Sequence, residues 1–307
     1  MAATGSSSTS SRTSRISFTS DQPGMYPRVA GLVRLVHPFP SLLDGLVTMA
    51  LAWLAGASGR TAAALGLAMF CLQASIGTVN DIVDVERDRD TKPGKPLPRG
   101  IVGRSTAWFV AGGGLVLGLA ISVLIEPLTG AIGVVGVALG YAYDVRLKVS
   151  RWSWLPFALG ISLLPVYAWV GATGAIPAIF MLLVPMAILS GAGLALANQL
   201  ADDERDRAQG LLTAVGRLGR ARAWMLNATL DGVVALVAVV SLVLSGASFL
   251  FIGAADVSIG LIIIGLHLGR SIRPVTRERA WEIQAIGFAC LAVAWLAGMA
   301  DRGLIRL

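Results

Sequence analysis

The stretch RTAAALGLAMFCLQASIGTV (60–79), followed at once by NDIVDVERDRD (80–90), decides the fold. The first part is a mainly apolar run of about 20 residues, the length that an α-helix needs to cross a bilayer. The second part places five acidic residues within ten positions. A spanning helix that ends in a dense acidic segment indicates a membrane protein with a polar site at one membrane face.

Apolar runs of this kind recur along the chain. The nine candidate spans lie at roughly 40–57, 60–79, 104–124, 128–143, 152–172, 175–197, 222–245, 247–268 and 281–299. The 307 residues are 55% hydrophobic and 14% charged, with a mean hydropathy of +0.72. Soluble domains carry about 25% charged residues. These observations predict an all-α integral membrane protein with about nine transmembrane helices.

Lysine and arginine are distributed unevenly between the loops. The loops after the second, fourth, sixth and eighth spans carry 18 of the 25 Lys and Arg, whereas the alternating loops carry only Arg60. The positive-inside rule therefore predicts a multi-pass protein of the cell (plasma) membrane, with its N-terminus and the acidic segments in the cytoplasm. This topology explains the net charge of +7 without a nucleic-acid partner.

The N-terminal segment differs from the rest in composition. Residues 1–24 are rich in Ser and Thr and nearly free of acidic residues, so we predict a disordered tail. An alternative is that translation begins at Met25. Residues 25–307 are predicted to form a single transmembrane domain.

Two matching rows of polar residues end the second and sixth spans. The first row is Asn80-x₃-Asp84-x₃-Asp88, and the second row is Asn198-x₃-Asp202-x₃-Asp206. Residues at this spacing share one face of a helix. Mg²⁺ binds oxygen ligands, commonly one or two carboxylates together with phosphate oxygens. The rows therefore predict an Mg²⁺-bound diphosphate, with Asp81 as a further candidate ligand. The separation of 118 residues also indicates two four-helix halves and an extra ninth helix.

The alternative for these acidic segments is a solvated loop held by salt bridges. Arginines are interleaved with the acids, at Arg87, Arg89, Arg205 and Arg207. One such segment alone would leave the choice open. Two segments with the same spacing and placement favour the metal site.

Further side chains near the rows are candidates to bind the diphosphate oxygens that the metal leaves free. They are Arg34, Asn80, Lys92, Lys95, Arg99, Tyr141 and Lys148. The positive-inside bias is a competing explanation for the basic residues in this set, because it places Lys and Arg in these loops without any substrate.

Four motifs then follow in a fixed order. They are Asn80-Asp81-x-x-Asp84-x-x-x-Asp88, Lys95-Pro96-Leu97-x-x-Gly100, Tyr141-x-Tyr143 with Arg146-Leu147-Lys148, and Asp202-x-x-x-Asp206-x-x-x-Gly210-x-x-Thr213. This order resembles the UbiA superfamily of intramembrane prenyltransferases, over about residues 30–300. Lys95 stands where the family pattern has Arg, which keeps the charge but loses the planar fork.

The resemblance implies a helical bundle around a central cavity and a catalytic role for the four row carboxylates, Asp84, Asp88, Asp202 and Asp206. It implies Mg²⁺ bound by these residues with help from Asn80 and Asn198. It also implies an isoprenyl diphosphate donor, whose group is transferred in the bilayer to a lipophilic or aromatic acceptor.

Two other functions remain open from the sequence. A terpene cyclase of the same superfamily would let the prenyl chain attack itself, and inverted repeats, broken helices and ion sites at the membrane midplane would favour a transporter. Acids inside predicted spans are functional candidates. They are Asp44, Asp231 and Asp256, of which Asp44 is the candidate for a cavity-facing residue.

Overall fold

The computed structural model describes residues 25–304, so the predicted disordered tail lies outside the described residues. This part of the chain is helical and contains no strand. Its helices are α1 (Met25–Leu35), α2 (Pro38–Leu54), α3 (Gly59–Thr91), α4 (Arg104–Ile125), α5 (Pro127–Val145), α6 (Leu155–Thr173), α7 (Phe180–Ala208), α8 (Ala214–Leu218), α9 (Arg220–Ser245), α10 (Phe249–Leu268) and α11 (Pro274–Asp301). A single 3₁₀ turn, Leu147–Val149, follows α5.

The number of spans agrees with the sequence prediction. Within the described residues, 8 helices are long and apolar enough to cross a membrane, and α1 with α2 makes a ninth span if this bent pair is counted as one. The two helices meet at 54°. His37 lies at the joint with a φ of 48°, and Pro38 begins α2. The prediction of an all-α, multi-pass membrane fold is confirmed.

The spans fall into two sets of four and one more. The first set is α2–α5, the second is α6, α7, α9 and α10, and α11 is the additional helix. Helices α3, α6, α7 and α11 are 56–61% buried over their apolar windows, whereas α4, α5, α9 and α10 are 17–28% buried. Helix α11 packs against α2 and α7, so it links the two sets. The inner helices therefore surround a central space.

The two helices that carry the acidic rows are the longest. With 33 and 29 residues, α3 and α7 extend over about 50 and 44 Å. The hydrocarbon core of a bilayer is about 30 Å thick. Each helix therefore continues beyond its apolar part, and both acidic segments are helical, as the i, i+4 spacing predicts.

Small residues bring inner and outer helices together. A Cβ on Gly114 of α4 would lie 2.8 Å from the carbonyl oxygen of Cys71, and one on Gly118 would lie 2.9 Å from that of Ala68. Glycine at both positions permits this approach of α4 to α3, and the two glycines, four residues apart, form a small-xxx-small contact.

Candidate functional site

A cavity of about 790 Å³ lies between the inner helices, a volume typical of small-molecule sites. Both acidic rows line one end. Apolar side chains line the other, among them Leu43, Val47, Leu164, Met186, Val234 and Phe288. Met186 precedes Asn198 by 12 residues on α7, or about 18 Å along the helix. The cavity therefore joins a charged mouth to a long apolar chamber.

All three residues of the first row line the cavity, and each has a partner. Asn80 Nδ2 donates to Asp144 Oδ1 at 2.7 Å. Asp84 Oδ2 accepts from Lys148 Nζ at 2.6 Å, and Asp88 Oδ2 accepts from Lys95 Nζ at 2.7 Å. These acids therefore face the cavity with cations already beside them.

Asp81 lies on a different side of α3. Its side chain is 2% exposed and does not line the cavity. Its Oδ1 accepts from Lys95 Nζ at 2.6 Å and lies 2.9 Å from His37 Nε2. One residue after Asn80 is about 100° round the helix, which explains why the predicted metal ligand is turned away.

Lys95 connects Asp81 and Asp88. Burial by itself lowers the pKa of its ammonium group, but the carboxylates of Asp81 and Asp88 outweigh burial and hold that pKa above its ordinary value. Lys95 is therefore a cation fixed at the edge of the cavity.

The second row also lines the cavity in full. Asp202 pairs with Lys92 at 3.1 Å and with Arg205 at 2.8 Å. Among the residues that the structure describes, the side chains of Asn198 and Asp206 have no hydrogen-bond or ion-pair partner. This row is therefore less neutralised than the first.

Two contacts bring the ends of α3 and α7 together. The ion pair between Lys92 and Asp202 joins the residue after α3 to the second row. Gln209 Nε2, just after α7, donates to Thr91 Oγ1 at 3.1 Å. Two segments separated by more than 100 residues in sequence thus form one mouth.

Ion pairs hold the second acidic segment, residues 198–206, on the side that does not face the cavity. Glu204 pairs with Arg220 at 2.9 Å and with Arg277. Arg277 is 1% exposed and also donates to the carbonyl oxygen of Leu200 at 2.6 Å. The interleaved salt bridges of the alternative interpretation do form, as Asp203 with Arg207 at 2.8 Å shows. They occur on helices and leave the rows facing the cavity.

Four of the six basic or tyrosine side chains predicted to bind diphosphate line the cavity. They are Arg34, Lys92, Lys95 and Lys148. Arg99 is exposed and lies away from it. The hydroxyl of Tyr141 lies 2.7 Å from Ser75 Oγ, outside the lining, whereas Tyr143 is part of the lining. Two residues on a helix point about 200° apart, so only one of these tyrosines can face inward.

Sequence reasoning missed several residues of the lining. Asp144, His37 and Arg205 surround the mouth. Asp144 directly follows Tyr143 in the third motif, which is a signal that the sequence offered. Deeper in the chamber, Gln73 Nε2 donates to Asp44 Oδ2 at 2.6 Å, and both side chains line the cavity.

The oxygen ligands at the mouth do not by themselves form a complete coordination shell for a metal ion. Within residues 25–304, no group of three His, Cys, Asp or Glu side chains is placed to hold a metal ion. Mg²⁺ needs only one or two carboxylates when phosphate oxygens and water complete its shell. The two rows therefore offer part of a coordination sphere, and a bound phosphate would have to supply the rest.

Comparisons with known proteins agree with this geometry. A model described as the UbiA prenyltransferase family matches residues 41–299. A digeranylgeranylglyceryl phosphate synthase of Methanoregula boonei is 31% identical over 198 residues, which cover 62% of this chain and 69% of that protein. A chloroplastic chlorophyll synthase of Oryza sativa subsp. japonica is 28% identical over 173 residues, which cover 52% of this chain and only 46% of that protein.

A solved structure shares the fold. It is a UbiA homolog from Archaeoglobus fulgidus bound to GPP and Mg²⁺, with a TM-score of 0.62 and 21% identity, covering 85% of this chain and 99% of that one. At this identity the likeness concerns the arrangement of the helices.

Proposed function

Because the chain belongs to the UbiA prenyltransferase family, we propose that it transfers an isoprenyl group from an isoprenyl diphosphate to a lipophilic or aromatic acceptor within the membrane. One observation carries the proposal: both acidic rows open into one cavity whose far end is apolar. The mouth suits a diphosphate with Mg²⁺, and the chamber suits an isoprenyl tail. The acids lie at the mouth and not along a path through the bundle, which favours this chemistry over transport.

The residues at the mouth fit Mg²⁺. Asp84, Asp88, Asp202 and Asp206 would hold it, with Asn80 and Asn198 as neutral oxygen ligands, and all six line the cavity. When bound, Mg²⁺ stabilises the negative charge that develops on the leaving diphosphate. The A. fulgidus homolog bound to GPP and Mg²⁺ supports this assignment. Asp81, which does not itself line the cavity, would support the site through its contact with Lys95.

The basic side chains complete the diphosphate site. Lys95, Lys148 and Lys92 now contact row carboxylates, and they would turn to phosphate oxygens when the donor enters. The bond between C1 of the isoprenyl group and the diphosphate oxygen breaks, the acceptor bonds to C1, and the acceptor gives up a proton. The apolar chamber keeps water from C1 during this exchange.

The charge distribution extends the proposal to topology. The excess of Lys and Arg on the side of the rows supports a cytoplasmic N-terminus and a cytoplasmic mouth in the cell membrane. The family match over residues 41–299 supports one transmembrane domain over residues 25–307.

Product analysis tests the reaction. Membranes with and without the protein are supplied with labelled isoprenyl diphosphates of several lengths and examined by mass spectrometry. We expect a prenylated product that requires this protein and disappears with EDTA. A cyclic hydrocarbon formed from the purified protein and donor alone would contradict the transferase and favour the cyclase.

A further inference from the structure

The apolar chamber contains a polar pair for which the proposed diphosphate site has no use. Asp44 of α2 and Gln73 of α3 both line the chamber, joined by a 2.6 Å hydrogen bond. Gln73 precedes Asn80 by seven residues, so the pair lies about 10 Å along α3 from the first row. This depth is beyond the phosphates and within the region where a second substrate must approach C1.

The carboxylate of Asp44 has bonding capacity to spare. A carboxylate offers about four lone-pair positions, and the structure shows one of them used, by Gln73 Nε2 on Oδ2. Among the described residues, no Lys, Arg or His pairs with Asp44. A polar group in such surroundings is costly unless it is hydrogen-bonded. The bound substrate is the group that can supply the missing donor.

The surroundings restrict the chemistry of that substrate. Phe39 and Trp281 also line the chamber, with their rings edge to face at 5.6 Å, and Phe288 is a further aromatic member of the lining. Aromatic side chains favour an aromatic ligand. An acceptor carrying a carboxylate or phosphate would bring a charge into an apolar chamber where no described cation pairs with Asp44, whereas a neutral hydroxyl can donate to the free carboxyl oxygen.

We propose that Asp44, held by Gln73, selects the acceptor: its free oxygen accepts a hydrogen bond from the hydroxyl of a neutral phenol bound in the apolar chamber. This inference rests on the proposed function, because it names the acceptor class of the same cavity. Asp44 is a specificity-determining residue, and Gln73 is the positioning residue that orients its carboxylate.

The test compares two ligands on two proteins. The probes are 2,6-dimethylphenol and its methyl ether 2,6-dimethylanisole, in which a methyl group replaces the hydroxyl proton, and Asp44→Leu shows how much of the difference between them depends on Asp44. Binding is measured by calorimetry on the full chain in nanodiscs, with Mg²⁺ and an unreactive thiolodiphosphate analogue of the donor present. In the wild type we expect the phenol to bind about tenfold more tightly than the ether, the effect of one hydrogen bond in an apolar chamber. In Asp44→Leu this preference should disappear, and Asp44→Asn should keep part of it.

The controls distinguish failure of the inference about Asp44 from failure of the proposed prenyltransferase function. Asp256→Leu, on the exposed face of α10, should leave the preference unchanged. The analogue should bind Asp44→Leu within twofold of the wild type, which shows that this variant is folded. If the analogue binds the wild type but the phenol has no advantage over the ether, or the advantage survives in Asp44→Leu, the inference about Asp44 is wrong. Failure of the wild type to bind the analogue would instead contradict the proposed function, since that binding depends on the rows.

Discussion

The two acidic rows have the same spacing but differ in how their charges are balanced. In the first row, Asp84 and Asp88 each contact a lysine, Lys148 and Lys95, and Lys95 is shared with Asp81. In the second row, only Asp202 has ionic partners, and Asp206 has none among the described side chains. Identical sequence spacing therefore does not make two equivalent halves of a site.

The difference indicates a division of labour. The first row holds two of the three lysines that the proposal assigns to the phosphate oxygens, and removal of its acids would leave these partly buried lysines without their row partners. The second row has a carboxylate free for a metal and is held in place from its outer face, through Glu204 and Arg277. Substitutions in the second row should thus affect activity more selectively than those in the first.

The largest expected effect is at Asp206. Asp206→Asn should reduce turnover of labelled donor about 100- to 1,000-fold, because an amide would hold less firmly the Mg²⁺ that stabilises the charge developing on the diphosphate. Its unfolding free energy should change by less than about 0.5 kcal/mol, because the substitution breaks no ion pair. Asp90→Asn, an exposed acid at the end of α3, is the matched control and should retain activity. Equal activity of both variants would remove Asp206 from the site.

Substitution of Lys95 should affect stability as well as donor binding. Lys95→Met should raise the KM for the donor about tenfold, and it should destabilise the protein by about 3 kcal/mol, because the buried Asp88 loses its lysine and the buried Asp81 keeps only His37. Lys92→Met is the control for stability, since Lys92 is 33% exposed and its ion pair contributes less than about 1 kcal/mol. Thermal unfolding and donor kinetics measure the two effects. If Lys95→Met is as stable as Lys92→Met, the first row has no structural role of the kind described.

Arg277 tests the anchor of the second row. Arg277→Met removes the contacts with Glu204 and the carbonyl of Leu200. We expect kcat to fall about tenfold through displacement of α7, with little change in donor KM. Arg279→Met, whose side chain is 71% exposed, is the control and should behave as wild type. A change confined to KM would show that Arg277 acts on the donor and not on the position of the row.

The smallest effects are expected at Arg99 and Tyr141, the two predicted diphosphate-binding residues that do not line the cavity. Arg99→Ala should leave donor KM unchanged within about twofold, as for an exposed residue without a structural role. Tyr141→Phe should cost about 1 kcal/mol of stability, for the bond to Ser75, and leave turnover intact. A tenfold rise in the donor KM of Arg99→Ala would show that Arg99 does bind the diphosphate.

The spans and both rows were predictable because their signals are local. An apolar run of bilayer length and an i, i+4 repeat each follow from helix geometry alone. The joint at His37 was less accessible: Pro38 marks a helix start, but the 54° bend depends on how α1 and α2 pack.

The side-chain contacts of the site were not predictable from the sequence. They depend on how each helix is rotated about its axis and on the paths of the loops, which local sequence does not determine. Tyr141 and Tyr143 are equivalent in a motif, and only the packing of α5 decides which one faces inward. Arg99 follows Lys95 by four residues, about one turn if the segment were a helix. It lies instead in a loop, where its side chain is exposed to solvent. Asp44 and Gln73 are 29 residues apart, and their contact requires the pairing of α2 with α3.

The lysines at the mouth also bear on the order in which substrates enter. With Lys92, Lys95 and Lys148 already against three of the four row carboxylates, most of the charge on the rows is balanced before any ligand arrives. A lone Mg²⁺ would compete with three ammonium groups, and a lone diphosphate would face the carboxylates. A chelate of the two would bring both signs together, so that the lysines could turn to phosphate oxygens while the row carboxylates hold the metal. Initial rates can be measured at many total concentrations of Mg²⁺ and of the diphosphate donor. They should fall on one curve when plotted against the concentration of the Mg²⁺–donor chelate, and excess free Mg²⁺ should not raise the rate further.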